Sequence, residues 1–191
     1  MKSFTIAFMC LISSSLIGQT LTYDAYLKGH KVGEMIVVKE VSDNKTSVTS
    51  KTHIEAHMLF TIRVDIEAKA TYMDGILIES DATSKQNGHL HASIQIDKTE
   101  NGYTIDDDGD QTTISSAGLV GADMLYFEEP TKLSHTIALA SGQYLDIEKG
   151  ANGEYFFVHD GKKESHQYAN GVLQQVIIDH KLYTVTMKLR Q

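Results

Sequence analysis

The chain has 191 residues, of which 17 are Lys or Arg, 25 are Asp or Glu and 41% are hydrophobic, a composition typical of globular proteins rather than disordered chains. The net charge of −8 argues against nucleic acid or an anionic membrane as a partner, because both require a surface rich in Lys and Arg. The single Cys excludes a disulfide framework and any metal site built from several cysteines.

The amino terminus has the pattern of an export signal. A short basic start is followed by the apolar run Phe4–Ile12, too short to span a bilayer, and then by small residues. We therefore predict a signal peptide over residues 1–18, with cleavage after Gly18, and a single domain over residues 19–191. No later run is long and apolar enough for a transmembrane helix. The sequence thus predicts an exported protein, in a periplasm or outside the cell, that is soluble after cleavage.

Apolar and polar residues alternate over an unusually long stretch, as in strands with one buried and one wet face. A single strand of about 25 residues would run roughly 80 Å, far beyond ordinary strands, so a bend or hairpin must lie near Met58-Leu59-Phe60. The alternation keeps its phase there, which requires an odd-length loop or a continuous, strongly coiled strand. Apart from Leu59, the apolar positions are even: Ile54, Ala56, Met58, Phe60, Ile62, Val64, Ile66, Ala68, Ala70 and Tyr72.

Two glycine turns follow, and the same alternation predicts their length. Three-residue loops at 73–75 and 86–88 would pair apolar with apolar residues, for example Tyr72 with Ile76, whereas two-residue loops would pair apolar with polar ones. We therefore predict three-residue hairpins, each closed by a glycine with positive φ.

The rest of the chain continues in short strands. Only Gly118–Glu129 looks helical, with Leu119 and Met124 on one apolar face and Pro130 ending it. The sequence therefore predicts an all-β fold, a strongly curved antiparallel meander or an open or partly closed β-barrel, with one short helix. The remaining strand-like runs are Leu133–Leu139, Tyr155–Val158, Leu173–Ile178 and Leu182–Leu189.

The polar face offers one weak candidate metal site. His89 and His91 lie two residues apart on a strand and so leave the same face, as in metal-binding His-x-His pairs. The predicted pairing brings Asp81 and Glu67 near them, directly opposite each other, which is unfavourable unless a cation or shared proton intervenes. Exposed polar residues with no such role are the alternative.

No other motif indicates a specific chemistry. The acidic run Asp106–Asp110 does not fit a calcium loop, since Gln111 and Ala117 stand where Gly and Glu belong; a solvated hairpin turn is the better interpretation. The chain has no Gly-x-Ser-x-Gly elbow and no phosphate-binding glycine-rich loop, and we predict no cofactor. An enzyme remains open, because catalytic groups are assembled in space.

The even apolar face is either the core or a binding surface. If the sheet closes or the segment Gly118–Glu129 covers this face, its residues form the core; if the sheet curls without full cover, they line a concave groove for a lipid or other hydrophobic molecule. The candidate ligand-binding residues are Met58, Phe60, Ile62, Ala68, Ala70, Tyr72, Ala82 and Ala92.

The pattern Tyr23-x-x-Tyr26-Leu27-x-Gly29-x-x-x-Gly33 resembles the start of exported bacterial β-rich families labelled only as domains of unknown function. The later glycine turns at 139–143 and 168–171 resemble turns of the same families. This resemblance implies an exported, strongly curved antiparallel sheet or open barrel, without an established activity and without catalytic residues to carry over.

Two hypotheses follow. The first is a non-enzymatic envelope protein, a binding or scaffold β-domain whose concave face holds a hydrophobic ligand. The alternative is a hydrolase or metal-dependent enzyme that uses the polar face around Glu67, Asp81, His89 and His91.

Overall fold

The computed structural model describes residues 17–57, 61–180 and 183–191, with the backbone alone for His180 and Tyr183. Fourteen strands account for most of these residues. Their bounds are β1 Ile17–Leu27, β2 His30–Ser42, β3 Lys45–His57, β4 Thr61–Met73, β5 Ile76–Gln86, β6 His89–Thr99, β7 Gly102–Asp107, β8 Asp110–Ile114, β9 His135–Ala138, β10 Gln143–Lys149, β11 Glu154–His159, β12 Lys162–Ala169, β13 Val172–His180 and β14 Tyr183–Leu189.

All fourteen strands belong to one antiparallel sheet. In the order β8-β7-β6-β5-β4-β3-β2-β1-β14-β13-β12-β11-β10-β9, nearly every strand lies beside its neighbour in the sequence. The first strand also pairs with the last, through Tyr23 and Leu189. The edge strands β8 and β9 do not pair with each other, so the sheet is a barrel-like meander left open. The predicted all-β, curved antiparallel fold is confirmed.

The predicted signal peptide lies outside the described residues except for its last two. Ile17 and Gly18 begin β1, where they face Val41 and Glu40 of β2. Cleavage after Gly18 stays a prediction. None of the helices in the described ranges is long and apolar enough to cross a membrane.

The hairpins of β4–β5 and β5–β6 differ from the predicted three-residue loops. Each has a two-residue turn, Asp74-Gly75 or Asn87-Gly88, with positive φ at both positions, as type I′ turns require. One unpaired residue in the following strand, Ile78 in the first hairpin and His91 in the second, then brings the even-numbered residues of both strands back to the same face of the sheet. The alternation correctly predicted one extra residue beyond a two-residue turn, but that residue forms a β-bulge in the strand rather than part of the turn.

The connection between β3 and β4 agrees with the alternation. His57 pairs with Thr61, so a hairpin with an odd number of intervening residues joins the strands. Residues 58–60, which include the candidate ligand-binding residues Met58 and Phe60, lie outside the described residues.

The predicted helix over Gly118–Glu129 is wrong in extent. Only Met124–Tyr126 forms a single 3-10 turn. The backbone of this segment bonds instead to the sheet: Leu77 N donates to Leu119 O at 2.9 Å, and Ala122 N donates to Ile137 O at 2.9 Å. These bonds to strands replace the i to i−4 bonds of a helix.

The even face is the inside of the barrel. Ala68, Ala70, Tyr72 and Ala82 are all less than 10% exposed, and Leu77 is fully buried. Leu119, Met124 and Leu125, from the segment that joins β8 to β9, lie in the same core. We call residues 118–127 of this joining segment the plug, because they occupy the interior of the sheet.

Candidate functional site

The plug fills one half of the interior and is held there by tyrosine hydroxyl groups. The hydroxyl of Tyr103 donates to Leu77 O and accepts from Leu119 N, both at 2.9 Å. On the other side of the plug, the hydroxyl of Tyr168 donates to Leu125 O at 2.8 Å. These tyrosines are at most 3% exposed, so their hydroxyl groups satisfy carbonyls that no water reaches.

The other half of the interior contains a half-open cavity of about 360 Å³. This volume is at the small end of the range of ligand pockets, roughly 300 to 1,000 Å³. Polar groups are few in its wall: Ser50, Thr52, Asp123, Glu164 and His166. The rest of the wall consists of Met35, Ile54, Ile66, Ala68, Ala122, Tyr126, Ala138, Leu139, Ala140, Leu145, Phe157, Ile178, Val185 and Met187.

Three depressions are larger. One, of about 550 Å³, lies between the plug and the segment 128–133 and is bordered by Lys39, Glu128 and Lys132. The other two lie at the turn between β1 and β2. They measure about 560 and 450 Å³ and are bordered by Lys28, which is exposed, together with polar residues such as Lys188 in the first and Lys31 in the second. A large volume alone does not make a depression a binding site. Ligand sites are typically concave and apolar, with a small number of polar groups in their wall. The interior cavity meets that description and is therefore the candidate site.

Asp123 connects the filled half to the cavity. It is 6% exposed, and its Oδ1 accepts a hydrogen bond from the hydroxyl of Tyr72. Its Oδ2 is buried and has no hydrogen-bond partner among the described protein atoms. Burial raises the pKa of this carboxyl group to about 6, against the opposing effect of the Tyr72 hydrogen bond. Asp123 is therefore a buried residue of the cavity wall whose carboxyl group is only partly hydrogen-bonded.

Gly121 allows this approach between the plug and β4. A Cβ atom at this position would collide with the hydroxyl of Tyr72 and with the Asp123 carboxylate. Burial, and then the charge of Asp123, raise the pKa of Tyr72 well above its usual value, so Tyr72 remains a hydrogen-bond donor.

His166 is the second unusual polar group of the wall. It is 7% exposed, and neither ring nitrogen has a hydrogen-bond partner among the described residues. Its ring stacks on Phe157 with centroids 3.8 Å apart. The nearest charge is the carboxylate of Glu164, 3.6 Å from Nε2, whose side chain is 43% exposed. His166 is thus held by stacking rather than by hydrogen bonds.

The charges of both acidic groups of the wall act on Tyr126, which also lines the cavity. Burial raises the pKa of Tyr126, and the charges of Glu164 and Asp123 raise it further. Both carboxylates therefore act on the same small region of the cavity, and the electrostatic character of that region is acidic.

The predicted ligand-binding residues are distributed over both halves of the interior. Ala68 lines the cavity. Ala70, Tyr72 and Ala82 are buried in the core outside the cavity wall, and Ile62 and Ala92 are half-buried and also outside it. Met58 and Phe60 lie outside the described residues.

The predicted polar-face site does not have the expected geometry. Glu67 faces Thr83 and Asp81 faces Lys69, so the two acids are not opposite each other. The two-residue turn and the bulge at Ile78 each shift the register by one residue from the predicted pairing. His91 is the bulged residue of the next hairpin. Among the described residues no three His, Cys, Asp or Glu side chains form a group that could hold a metal ion.

The acidic run forms a hairpin turn, as predicted. Asp107 pairs with Asp110 across the turn Asp108-Gly109. Oδ1 of Asp106 accepts a hydrogen bond from Gly109 N at 2.8 Å. Together with a hydrogen bond from Gln111, this lowers the pKa of Asp106.

Sequence reasoning did not identify Asp123 or His166. Asp123 looks like a helical surface residue within Gly118–Glu129, and His166 lies in a run of polar residues. The sequence does offer one indication for His166. His166 and Tyr168 stand two residues apart, with Gln167 between them, just before a glycine turn, and residues spaced in this way on a strand share one face.

Comparison with known proteins supports the fold. A crystal structure of a beta-barrel-like protein of domain of unknown function DUF1849 from Brucella abortus is similar, with a TM-score of 0.58, 11% sequence identity, and coverage of 94% of this chain and 98% of that chain. No curated protein sequence matches the chain. The family model of domain of unknown function DUF6134 matches residues 23–190, almost the entire barrel. The chain therefore belongs to the DUF6134 family, an uncharacterised family of β-rich domains.

Proposed function

We propose that this protein is an exported binding protein that holds a small hydrophobic molecule in the interior cavity and whose role is binding rather than catalysis. The observation that carries this proposal is the half-open cavity of about 360 Å³ with its predominantly apolar wall. A closed core would pack at near-crystalline density. An apolar space of this size that is open at one side can instead be stabilised by a molecule that removes its wall from water.

The fold provides a rigid frame for such a site. Strands that meet in the cavity wall, such as those carrying Ile66, Phe157 and Met187, belong to one continuous sheet. The plug closes the interior on one side through Asp123 and Tyr126. Binding sites built on strands are held more firmly than sites on loops, which suits a cavity that is present before its ligand arrives.

Fluorescence titration with N-phenylnaphthylamine tests the proposal. The purified protein is expected to show saturable enhancement with one site per chain. Ala138→Leu, which puts a larger side chain into the cavity wall, is expected to weaken binding roughly tenfold or more, because it displaces probe volume. Ala169→Leu, on the exposed side of β12, is the matched control and leaves binding unchanged. Linear, non-saturable fluorescence would refute the proposal.

Export is tested separately. Expression in a bacterial host followed by fractionation and mass spectrometry of the amino terminus is expected to find the chain outside the cytoplasm, beginning at Gln19. A chain that stays in the cytoplasm with Met1 intact would refute export, and would leave the binding proposal unaffected.

A further inference from the structure

The charges of the cavity restrict the chemistry of its ligand. Its described wall contains two carboxyl groups, Asp123 and Glu164, and neither Lys nor Arg. His166 is the one residue of that wall whose side chain could become a cation. An anionic head group, such as the carboxylate of a fatty acid, would therefore meet two acids of its own sign and no permanent positive charge. Like charges at short range in a partly dry site repel strongly.

The carboxyl group of Asp123 indicates what the cavity does accept. Its Oδ1 is occupied by the hydroxyl of Tyr72, while Oδ2 is buried without a hydrogen-bond partner among the described atoms, so its negative charge is only partly compensated. A positively charged group in the cavity would stabilise this charge at short range in a partly dry site.

Aromatic groups near the two acids suit the same kind of head group. The stacked pair of Phe157 and His166 and the ring of Tyr126 belong to the same wall. Aromatic faces attract cations through their quadrupole. Glu164 at the rim, with its half-exposed side chain, would attract a cation on entry.

We propose that the cavity binds an amphiphile with a protonated amine head group, whose positive charge lies against the carboxyl groups of Asp123 and Glu164 while its apolar tail contacts the isoleucines Ile54, Ile66 and Ile178. This proposal rests on the proposed function, since it specifies the class of molecule held in the same cavity. Two acids in a described wall without Lys or Arg distinguish such a ligand from a fatty acid.

Displacement of bound N-phenylnaphthylamine by three ligands of equal tail length tests this proposal at neutral pH. Octylamine is cationic there, since alkyl ammonium groups have a pKa near that of Lys, about 10.4. Octylamine is expected to displace the probe at roughly tenfold lower concentration than octanol, and octanoate is expected to be the weakest competitor. Equal or better displacement by octanoate would overturn the proposal.

Asp123→Asn then identifies the group responsible. This isosteric variant is expected to remove the tenfold preference for octylamine over octanol while it keeps binding of the uncharged probe. Asp81→Asn, which removes an acid from the outer face, is the matched control and is expected to keep the preference. An unchanged preference in folded Asp123→Asn protein would overturn the proposal.

A second variant covers the case in which Asp123→Asn does not fold, as judged by circular dichroism. Glu164→Gln changes a half-exposed side chain and is expected to fold normally. It should reduce the preference for octylamine by roughly two- to fivefold, and no reduction would overturn the proposal in that case. If the probe does not bind to the wild-type protein at all, it is the proposed function that fails, which is a distinguishable result.

Discussion

The two halves of the barrel interior treat buried polar groups differently. In the half filled by the plug, the hydroxyl groups of Tyr103 and Tyr168 bond to backbone atoms at 2.8 to 2.9 Å. In the cavity half, the ring nitrogens of His166 and one oxygen of Asp123 have no partner among the described residues. Outside the cavity wall the buried hydroxyl oxygen of Ser80 is also without a partner in the described part of the chain, but that group is neutral, whereas the unpartnered atoms of the cavity wall belong to an imidazole and a carboxyl group.

This difference separates stability from function. Satisfied buried groups contribute roughly 1 kcal/mol each to folding, whereas an unsatisfied buried group costs about 1–3 kcal/mol. Within the described ranges the filled half contains one such atom, on Ser80, whereas the cavity wall contains three, on His166 and Asp123, and a concentration of unsatisfied groups of this kind is typical of a binding region. The filled half is therefore the stabilising core, and the cavity half is where a ligand would act.

The largest expected effect comes from comparing Leu77→Ala with Ile66→Ala. Leu77 is fully buried beneath the plug, and its truncation should lower the free energy of unfolding by about 3–4 kcal/mol, through lost burial and a new void. Ile66 is half-buried in the cavity wall, so its truncation should cost only about 1 kcal/mol. Urea denaturation measures both. Equal costs would show that the two halves are packed alike.

The second effect concerns pH and Asp123. Burial raises the pKa of its carboxyl group to about 6 in the folded protein, above its usual value of 3.8. Because the folded-state pKa is raised, the stabilising contribution is fully present below the unfolded value and is lost as the pH rises through about 6. The wild type should therefore lose about 2 kcal/mol relative to Asp123→Asn between pH 4 and pH 7.

Comparing the two proteins at each pH separates the contribution of Asp123 from those of carboxyl groups whose pKa is lowered by folding. Hydrogen bonds from Arg190 and Lys31 lower the pKa of Asp24 to about 2, and this contribution cancels in the difference. If the free energies of unfolding of the wild type and Asp123→Asn changed in parallel with pH, Asp123 would be solvated. The cavity half would then lack the unsatisfied buried carboxyl group that distinguishes it from the filled half.

A smaller effect is expected for Tyr103→Phe in the filled half. The substitution removes the hydrogen bond to Leu77 O and leaves Leu119 N without its acceptor. Loss of a buried partner should destabilise the protein by about 1–2 kcal/mol. Thermal unfolding gives the value, and faster hydrogen exchange at the Leu119 amide would locate the effect in the plug. If neither the stability nor the exchange rate changed, the hydroxyl group of Tyr103 would not be what holds the plug in place.

The smallest effect is expected for His166→Phe in the cavity half. The new ring keeps the stack on Phe157 and removes two nitrogens that lack partners. The variant should be unchanged or more stable by up to about 1 kcal/mol, because an unsatisfied buried group is replaced by an apolar one of similar shape. The same thermal measurement applies, and a loss of 2 kcal/mol or more would show that His166 has a partner in solution.

Several features of the fold could be predicted because they depend on residues close in the sequence. The alternation from Ile54 to Tyr72 predicted the buried face correctly, including the very low exposure of Ala70 and Tyr72. It also predicted an odd residue in the β4–β5 hairpin. Whether that residue lies in the turn or in a bulge depends on the relative stability of the two turn geometries, which the alternation does not report. Type I′ geometry at Asp74-Gly75 matches the strand twist, and the bulge at Ile78 absorbs the remainder.

The candidate site was harder to predict because its parts are distant in the sequence. Tyr72 and Asp123 are 51 residues apart, and His166 comes from a strand on the other side of β1 and β14. The segment Gly118–Glu129 has the spacing of an amphipathic helix. Its backbone bonds to Leu77 and Ile137 formed only because the curved sheet surrounds it.

Within each strand the sequence by itself determined which residues share a face, since side chains on a strand alternate whatever the strand packs against. Beside the β4–β5 turn, however, Leu77 turns inward opposite Tyr72, whereas Ile76, which the alternation placed there, is exposed. The sequence also determined the positions of the tight turns, because Asp-Gly and Asn-Gly pairs accept positive φ at both positions. Only the tertiary structure decided how much of the inward face is core. The plug contacts Tyr72, Leu77 and Tyr103 on one side and borders the cavity on the other through Ala122, Asp123 and Tyr126, so the apolar residues beyond it are left around a cavity. That boundary depends on the distance across a curved sheet, which local alternation does not encode.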